Sequence, residues 1–318
     1  MHAERRWSMT GLRITDLPQR AVIEVAGAEA RDFLQGLLSN DVGRLADGAL
    51  YAALLTPQGK FLYDMLLATD GERLFLDCAA AHADELLRRL TMYRLRAKVT
   101  LARREDLAVL ALFPADGEVP AEAPAEPGGT ALAYRDPRLP DLGWRAIVPA
   151  DRRDLLGAID AAPEDYDRFR LALGVPDGEQ DIESGRGLLL ESNFEELHGV
   201  DFHKGCFVGQ ELTARTKHRA LVKKRLWGIR HAGGPALPPA GTPIVLDGQD
   251  AGQMASSRDG RGLALLRLDK LRASLEQGGR LTAGEAVLEP VQPAYLPQSV
   301  LRPGDAGSDS AGSGSGGR

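Results

Sequence analysis

One of the chain's two cysteines, Cys206, sits two residues after Lys204 and between Gly205 and Gly209, in the stretch KGCFVGQE from Lys204 to Glu211. Glycine tolerates positive φ, so two glycines around a thiol predict a shaped turn that presents the sulfur. In an extended segment residues two apart share a face, which would set the Lys204 ammonium beside Cys206 and favour thiolate. Such a thiol can be a nucleophile, a metal or cluster ligand, or a redox-sensitive group. The commoner fate of a free cysteine is burial as a small hydrophobe. No base and orienting partner accompany Cys206 in the pattern of a cysteine hydrolase, although His203 and His218 are near in sequence. His198, His203, Cys206 and His218 fall within 21 residues. Their spacing matches no zinc pattern, and a stable cluster takes four cysteines. No permanent metal is expected, and transient iron-sulfur contact through Cys206 stays open.

The neighbourhood is basic. From Lys204 to Arg225 there are seven Lys or Arg against one acid, Glu211, on a chain of net charge -6. A positive strip on an acidic protein predicts an anion site; the alternative is a strand edge guarded by lysines. Phe207 and Trp227 are the aromatics near it, too few for base stacking, and the acidic total argues against a general nucleic-acid coat, so direct nucleic-acid binding is not expected. Arg94 and Arg96 in MYRLRAK alternate and so face one way if extended, which suits anion contact; a helix C-terminal cation pair is the alternative. Asp64 is an acid/base candidate in a strand-like run. Asp181, Glu183, Glu191, Glu195 and Glu196 approach the cysteine motif in a polar stretch, where carboxylates are usually solvated or cap helices. No GxxxxGK[ST] loop and no GxGxxG after a strand occur.

The elements that must position these groups follow from periodicity. Strands are predicted at Ala21 to Val25, Leu50 to Leu55, Phe61 to Ala68, Leu74 to Asp77, Val99 to Leu101, Leu107 to Leu112 and Trp144 to Val148. Helices are predicted at Ala28 to Leu38, Ala83 to Tyr93, Arg152 to Ile159 and Glu164 to Leu173. Short hairpins alternating with helices read as α+β layers rather than a doubly wound parallel sheet. Pro114 to Gly129 reads as an exposed loop and Asp177 to Leu197 as irregular. Leu226 to Arg230, Pro243 to Leu246, Leu263 to Leu268 and Ala286 to Glu289 read as strands of a small barrel. From Pro303 the chain is Gly/Ser-rich tail.

At 318 residues, 43% hydrophobic and 26% charged, two or three soluble domains are expected. No signal peptide and no apolar run of membrane-spanning length are read, which predicts a cytoplasmic protein with reduced thiols and no membrane partner.

The stretch GCFVGQELTARTKHRALVKKRL resembles the signature of the folate-binding YgfZ family, including its mitochondrial-type iron-sulfur assembly members, within the fold group of the glycine-cleavage aminomethyltransferase. FLQGLLSND at Phe33 to Asp41, TPQGKFLYDMLL at Thr56 to Leu67, YRLRAKV at Tyr93 to Val99 and RLALGVPDGEQDI at Arg170 to Ile182 support it. The resemblance implies two ferredoxin-like α+β domains and a C-terminal β-barrel in a three-domain cloverleaf around a central channel. The domains then run over 1–48 with 113–203, over 49–112 inserted in the first, and over 204–298 for motif and barrel, with 299–318 as tail. It also implies tetrahydrofolate as cofactor, iron-sulfur client or scaffold proteins as partners, and clients that include tRNA-modifying radical enzymes. Cys206 is then the reactive or cluster-contacting thiol, Lys204 tunes it, and Gly205, Phe207, Gly209, Gln210 and Glu211 shape the turn. Tyr63, Asp64, Arg94, Arg96, Arg215 and Lys217 become folate contacts, with Arg219 beside them. The related aminomethyltransferases carry an acidic pair where this chain has Tyr63 and Asp64, so half of the pair is missing. The expectation is an accessory factor without its own catalytic cycle; the alternative is a folate-dependent one-carbon transferase with Asp64 as acid/base.

Overall fold

A computed structural model describes residues 11–115, 119–121, 131–157, 159–219, 222–234 and 236–301. The elements in chain order are β1 (Leu12–Asp16), β2 (Arg20–Ala26), α1 (Ala30–Gln35), β3 (Leu50–Leu55), β4 (Phe61–Thr69), β5 (Leu74–Ala79), α2 (Ala83–Arg94), β6 (Thr100–Arg103), β7 (Leu107–Pro114), β8 (Leu132–Arg135) and β9 (Trp144–Pro149). There follow α3 (Pro163–Ala172), α4 (Gly178–Asp181), α5 (Gln210–His218), β10 (Lys224–His231), β11 (Pro243–Leu246), β12 (Gln249–Arg258), β13 (Arg261–Arg267), α6 (Leu268–Gln277), β14 (Leu281–Ala283) and β15 (Ala286–Val291).

Three sheets result. One has five strands in the order β3-β4-β5-β2-β6, one has four in the order β1-β7-β9-β8, and β10 to β15 close a barrel. The α+β class and the C-terminal barrel read from the sequence are therefore present. Every strand pairing is antiparallel.

Strand alternation sorts side chains onto two faces and so builds the core. In β7, Val109, Ala111 and Phe113 face the shared core, while Ala108, Leu110 and Leu112 face a smaller cluster with Trp144 and Leu156. In β4, Tyr63, Met65 and Leu67 face the layer of α1 and α2, while Leu66 and Ala68 face the shared core with Tyr51 and Phe194. That shared core also takes Tyr166 and Leu171 of α3 and Leu226, Ala255 and Leu263 of the barrel, so body and barrel are packed as one.

The sheets divide the chain differently from the expected boundaries near 48 and 112. β2 pairs with both β5 and β6, which places it in the five-stranded sheet, and the chain passes to the four-stranded sheet only at β7. The inserted layer thus runs from about β2 to β6, because the apolar run at Ala21 to Val25 finds its partners in the later hairpin. The helix expected at Arg152 to Ile159 does not form among its described residues. They make turns instead, with Leu156 buried, Gly157 at φ 127, and the Ile14 amide donating to Asp160 Oδ1 beyond them at 2.8 Å. Most of Pro114 to Gly129 and the tail from Pro303 lie outside the described residues.

Candidate functional site

The cysteine motif is held by two earlier stretches. Lys204 turns its side chain inward, and Nζ donates to the backbone oxygens of Gln35, Leu38 and Asn40 at 2.7, 2.6 and 2.7 Å. These carbonyls lie at and just beyond the C-terminal end of α1, where carbonyls lack helical partners and a cation is favoured. Burial lowers the lysine from its usual 10.5 to about 8, which leaves it protonated at pH 7. Three carbonyl acceptors need all three N–H donors of the ammonium. No N–H remains for the Cys206 sulfur, so Lys204 anchors the loop rather than tuning the thiol by hydrogen bonding, and the shared face expected of an extended segment is not what the chain adopts.

The α1 loop is itself braced. Asn40 Nδ2 donates to the oxygens of Tyr51 and His198 at 2.8 and 2.7 Å, and Ser39 Oγ donates to the Gly199 oxygen at 2.6 Å while accepting from the Ala53 amide. The Asp201 amide donates to the Ser39 oxygen at 3.0 Å, which ties the approach to Lys204 onto the same loop.

The second support is the turn between β3 and β4. Gly209, at φ 82, lies so close to it that a Cβ would sit 2.5 Å from the Thr56 oxygen and 2.9 Å from Gly59 Cα. Close approach and positive φ both demand glycine there. Gly205, at φ 90, has open space around it and needs glycine for its conformation alone. Gln210 Oε1 accepts from the Phe207 amide at 3.2 Å, and Phe207 is buried below the Lys204 ammonium, which lies 5.4 Å from its ring centre. Cys206 is left exposed and free on top. Glu211 takes no part in the turn: it pairs with Arg215 one helical turn along α5 at 2.8 Å.

Three of the seven cations of the basic strip, Arg215, Lys217 and Arg225, are paired with carboxylates. Lys217 meets Glu195 and stands 4.1 Å from the Phe202 ring, and Arg225 meets Glu196 at 2.7 Å. Those carboxylates belong to the acidic approach segment, distant in sequence and folded back onto α5 and β10. Arg219 is exposed just past α5.

Asp64 stands elsewhere. Alternation along β4 sends Tyr63 toward α2 and Asp64 toward the shared core, so the two are not a pair. Both still border one cavity of about 130 Å³, where β4 runs on past the end of β5; Cys78, His82, Leu86, Gly178, Glu179 and Glu183 also line it. Asp64 Oδ2 accepts from the Tyr51 hydroxyl at 3.1 Å, and its Oδ1 lies where a Cβ on Gly178 would come within 2.1 Å. Gly178 therefore exists to admit this carboxylate. Burial raises the Asp64 carboxyl above its ordinary value, Arg20 opposes the rise, and Asp177 adds to it. Burial also pushes the Cys78 thiol up to about 12.

Below Asp64 lies an ionic network that sequence reading missed. Arg20 and Arg145 both hold Asp77, at 2.6 and 2.9 Å, and Arg138 holds Asp136 at 2.7 Å, with every one of these side chains at most 4% exposed. Tyr166 OH accepts from Arg138 and Arg145, and Tyr134 OH donates to Asp77 Oδ2. Burial alone would raise the Asp136 carboxyl, but Arg138 and Arg145 bring it below the usual range. Arg94 and Arg96 fall outside this region, on the segment that ends α2, and neither they nor Arg215 and Lys217 border the Asp64 cavity. Among the described residues no three His, Cys, Asp or Glu side chains converge as metal ligands, and no helix is long and apolar enough to cross a membrane.

Residues 223–298 match the CAF17 C-terminal beta-barrel domain family. The chain is 35% identical over 287 residues to the mitochondrial iron-sulfur cluster assembly factor IBA57 of Mus musculus, covering 81% of this chain and 78% of that one. The Homo sapiens protein of the same name is 34% identical over 286 residues, again 81% and 78%. The chain belongs to the IBA57 family of iron-sulfur cluster assembly factors. A Neurospora crassa homologue is 37% identical over 239 residues, 69% of this chain and 54% of that one. In fold the chain is similar to glycine cleavage system aminomethyltransferase T from Bartonella henselae, with TM-score 0.69 at 17% identity over 90% of this chain and 86% of that one. The resemblance read from the cysteine motif thus resolves to its mitochondrial-type members. The cytoplasmic expectation is corrected by the same names: the IBA57 relatives are mitochondrial proteins, which points to that compartment. The physical signs read from the sequence, an ordinary soluble composition and no spanning segment, are shared by soluble proteins of both compartments and could not separate them.

Proposed function

We propose that the protein is an iron-sulfur cluster assembly or repair factor that works through the Cys206 thiol and binds a folate beside Asp64. The observation that carries the first half is the mounting of Cys206. A lysine with three carbonyl acceptors, two conformationally required glycines and a buried phenylalanine fix a loop whose free thiol faces solvent. A structural cysteine needs no such mounting and would be buried. A thiol presented this way can lend one ligand to an iron or cluster whose other ligands come from a client or scaffold protein. Replacing Cys206 with Ala and measuring cluster-dependent enzyme activity in cells lacking the protein tests it: activity should stay near that of the null cells, and full rescue would sink the thiol role. The same cells should show lowered products of tRNA-modifying radical enzymes if those are among the clients.

The second half is supported by a buried carboxyl bordering a small cavity. A reduced pteridine offers N–H donors that a carboxylate accepts, and Asp64, with Tyr63 at the cavity edge, would hold that ring end. A bound folate supplies one-carbon chemistry; the chain's own part is to bind and orient the ring. Arg94, Arg96, Arg215 and Lys217 do not border the cavity, so the tail of the ligand has no cation among its lining residues. Calorimetric titration with tetrahydrofolate is the test, and absence of heat at high micromolar ligand would remove folate from the reading while leaving the thiol role standing.

A further inference from the structure

Six large apolar side chains stand exposed among the described residues, and three of them, Met92, Tyr93 and Leu95, fall within one four-residue segment at the end of α2. They are 71%, 40% and 87% exposed. Leu95 also has φ 45 and ψ -107, a conformation that side-chain-bearing residues avoid. A leucine that is both strained and bare gives the fold nothing; glycine would relax the backbone and remove the exposed surface. Such residues persist where something outside the fold uses them.

Charge narrows what that is. From Leu86 to Lys98 the chain holds Arg88, Arg89, Arg94, Arg96 and Lys98 and no acid, although its net charge is -6. Arg89 is taken by Glu85 at 3.0 Å. Arg88, Arg94, Arg96 and Lys98 form no salt bridge among the described residues, in contrast to the paired strip on α5. Met, Tyr and Arg are the types enriched in protein interfaces, and three apolar side chains on one turn are little for lipid insertion.

Position supplies the last argument. The Lys98 amide donates to Glu29 Oε2 at 3.0 Å, and Gly27 lies so close that a Cβ would sit 2.2 Å from the Lys98 oxygen. Both tie the segment to the start of α1, whose far end receives Lys204. The helix has six residues, a span of roughly 9 Å. A protein seated on the segment therefore has Cys206 within its own diameter.

We propose that Met92, Tyr93 and Leu95, rimmed by Arg94, Arg96 and Lys98, form the docking face for an acidic protein partner with an apolar recess, which meets the Cys206 thiol from that seat. This rests on the thiol role of Cys206 argued above.

The test uses the full chain in cells lacking the protein. Leu95→Gly and the pair Arg94→Glu with Arg96→Glu should keep or exceed the wild-type melting temperature while cluster-dependent enzyme activity falls at least about tenfold, the loss of a central anchor. A photo-crosslinking residue at position 92 should label a discrete acidic protein, with a yield that drops about tenfold on the charge reversal. If these variants rescue fully while Cys206→Ala does not, the docking face is wrong and the thiol role stands; if Cys206→Ala rescues fully, the thiol role fails. Adducts to phospholipid or RNA in place of a protein overturn the proposal.

Discussion

The loop that carries Cys206 and the adjoining ends of β4 and β5, which carry Asp64 and Cys78, solve opposite problems. The first sets a thiol in solvent and holds it from below with backbone carbonyls and one lysine. The second sets a carboxyl and a thiol in the interior, where desolvation pushes both pKa values up and ionic partners must keep the region charged in balance. One cysteine is exposed and the other is buried at the cavity wall. The difference teaches where stability resides: the interior network specifies how the sheets meet, and the outer loop is mounted on that frame.

Breaking the interior side should have the largest effect. Arg145 contacts Asp77 and Asp136 at 2.9 and 3.4 Å with 4% of its side chain exposed. Arg145→Met leaves two buried carboxylates sharing the remaining arginines, which is expected to cost about 3–5 kcal/mol. Urea unfolding should show a lower midpoint with an unchanged slope. A loss below about 1 kcal/mol would mean that Arg20 and Arg138 carry the network without it.

Breaking the outer side should cost less and act locally. Lys204→Met removes three charge-assisted hydrogen bonds from a half-buried ammonium; the carbonyl of the part-exposed Gln35 can turn to water, while those of Leu38 and Asn40, at 0% and 3% exposed, lose a buried donor. About 1–3 kcal/mol is expected, with faster hydrogen exchange confined to the α1 loop and the Cys206 loop. Exchange spreading into β3 and β4 would show that the two regions are not separable.

The comparison also marks what the sequence could tell. Alternating and helical periodicities located most strands, because each has a buried face that writes its period into the chain. β12, with the polar run QDAGQMASSR, carries no such mark; α6 does, with Leu268, Leu271 and Leu275 at helical spacing, but it follows directly on a strand-like run and is not separated from it by a turn signal. By residue type the segment Gln210 to His218 reads as a basic strip, but Glu211 and Arg215 are spaced as a helical pair. In the site, the thiol, its glycines and Asp64 were legible from residue type. The anchoring role of Lys204 was not, since its acceptors lie 164 to 169 residues away. Neither was the pairing of Lys217 and Arg225 with Glu195 and Glu196, because charge summed along the chain says nothing of what folds onto it.

The smallest predicted effect probes whether Asp64 is kept for function. Its pKa is raised by burial above the ordinary 3.8. The native protein then holds the proton in a window where the unfolded chain has lost it, so this group's stability is complete below the ordinary pKa and is lost as pH rises through the folded one. Once the pH passes the folded pKa, the fold bears a buried carboxylate that an amide would not impose. Asp64→Asn keeps the shape against Gly178 and an acceptor for Tyr51, and should stabilise by about 1 kcal/mol at pH 7, as removal of a functional polar group often does. The difference in melting temperature should shrink as pH falls toward the acid range. If the amide destabilises at pH 7, the carboxylate is held by Arg20 and Arg138 as part of the network, and the contrast between a framework and a site in this half of the molecule collapses.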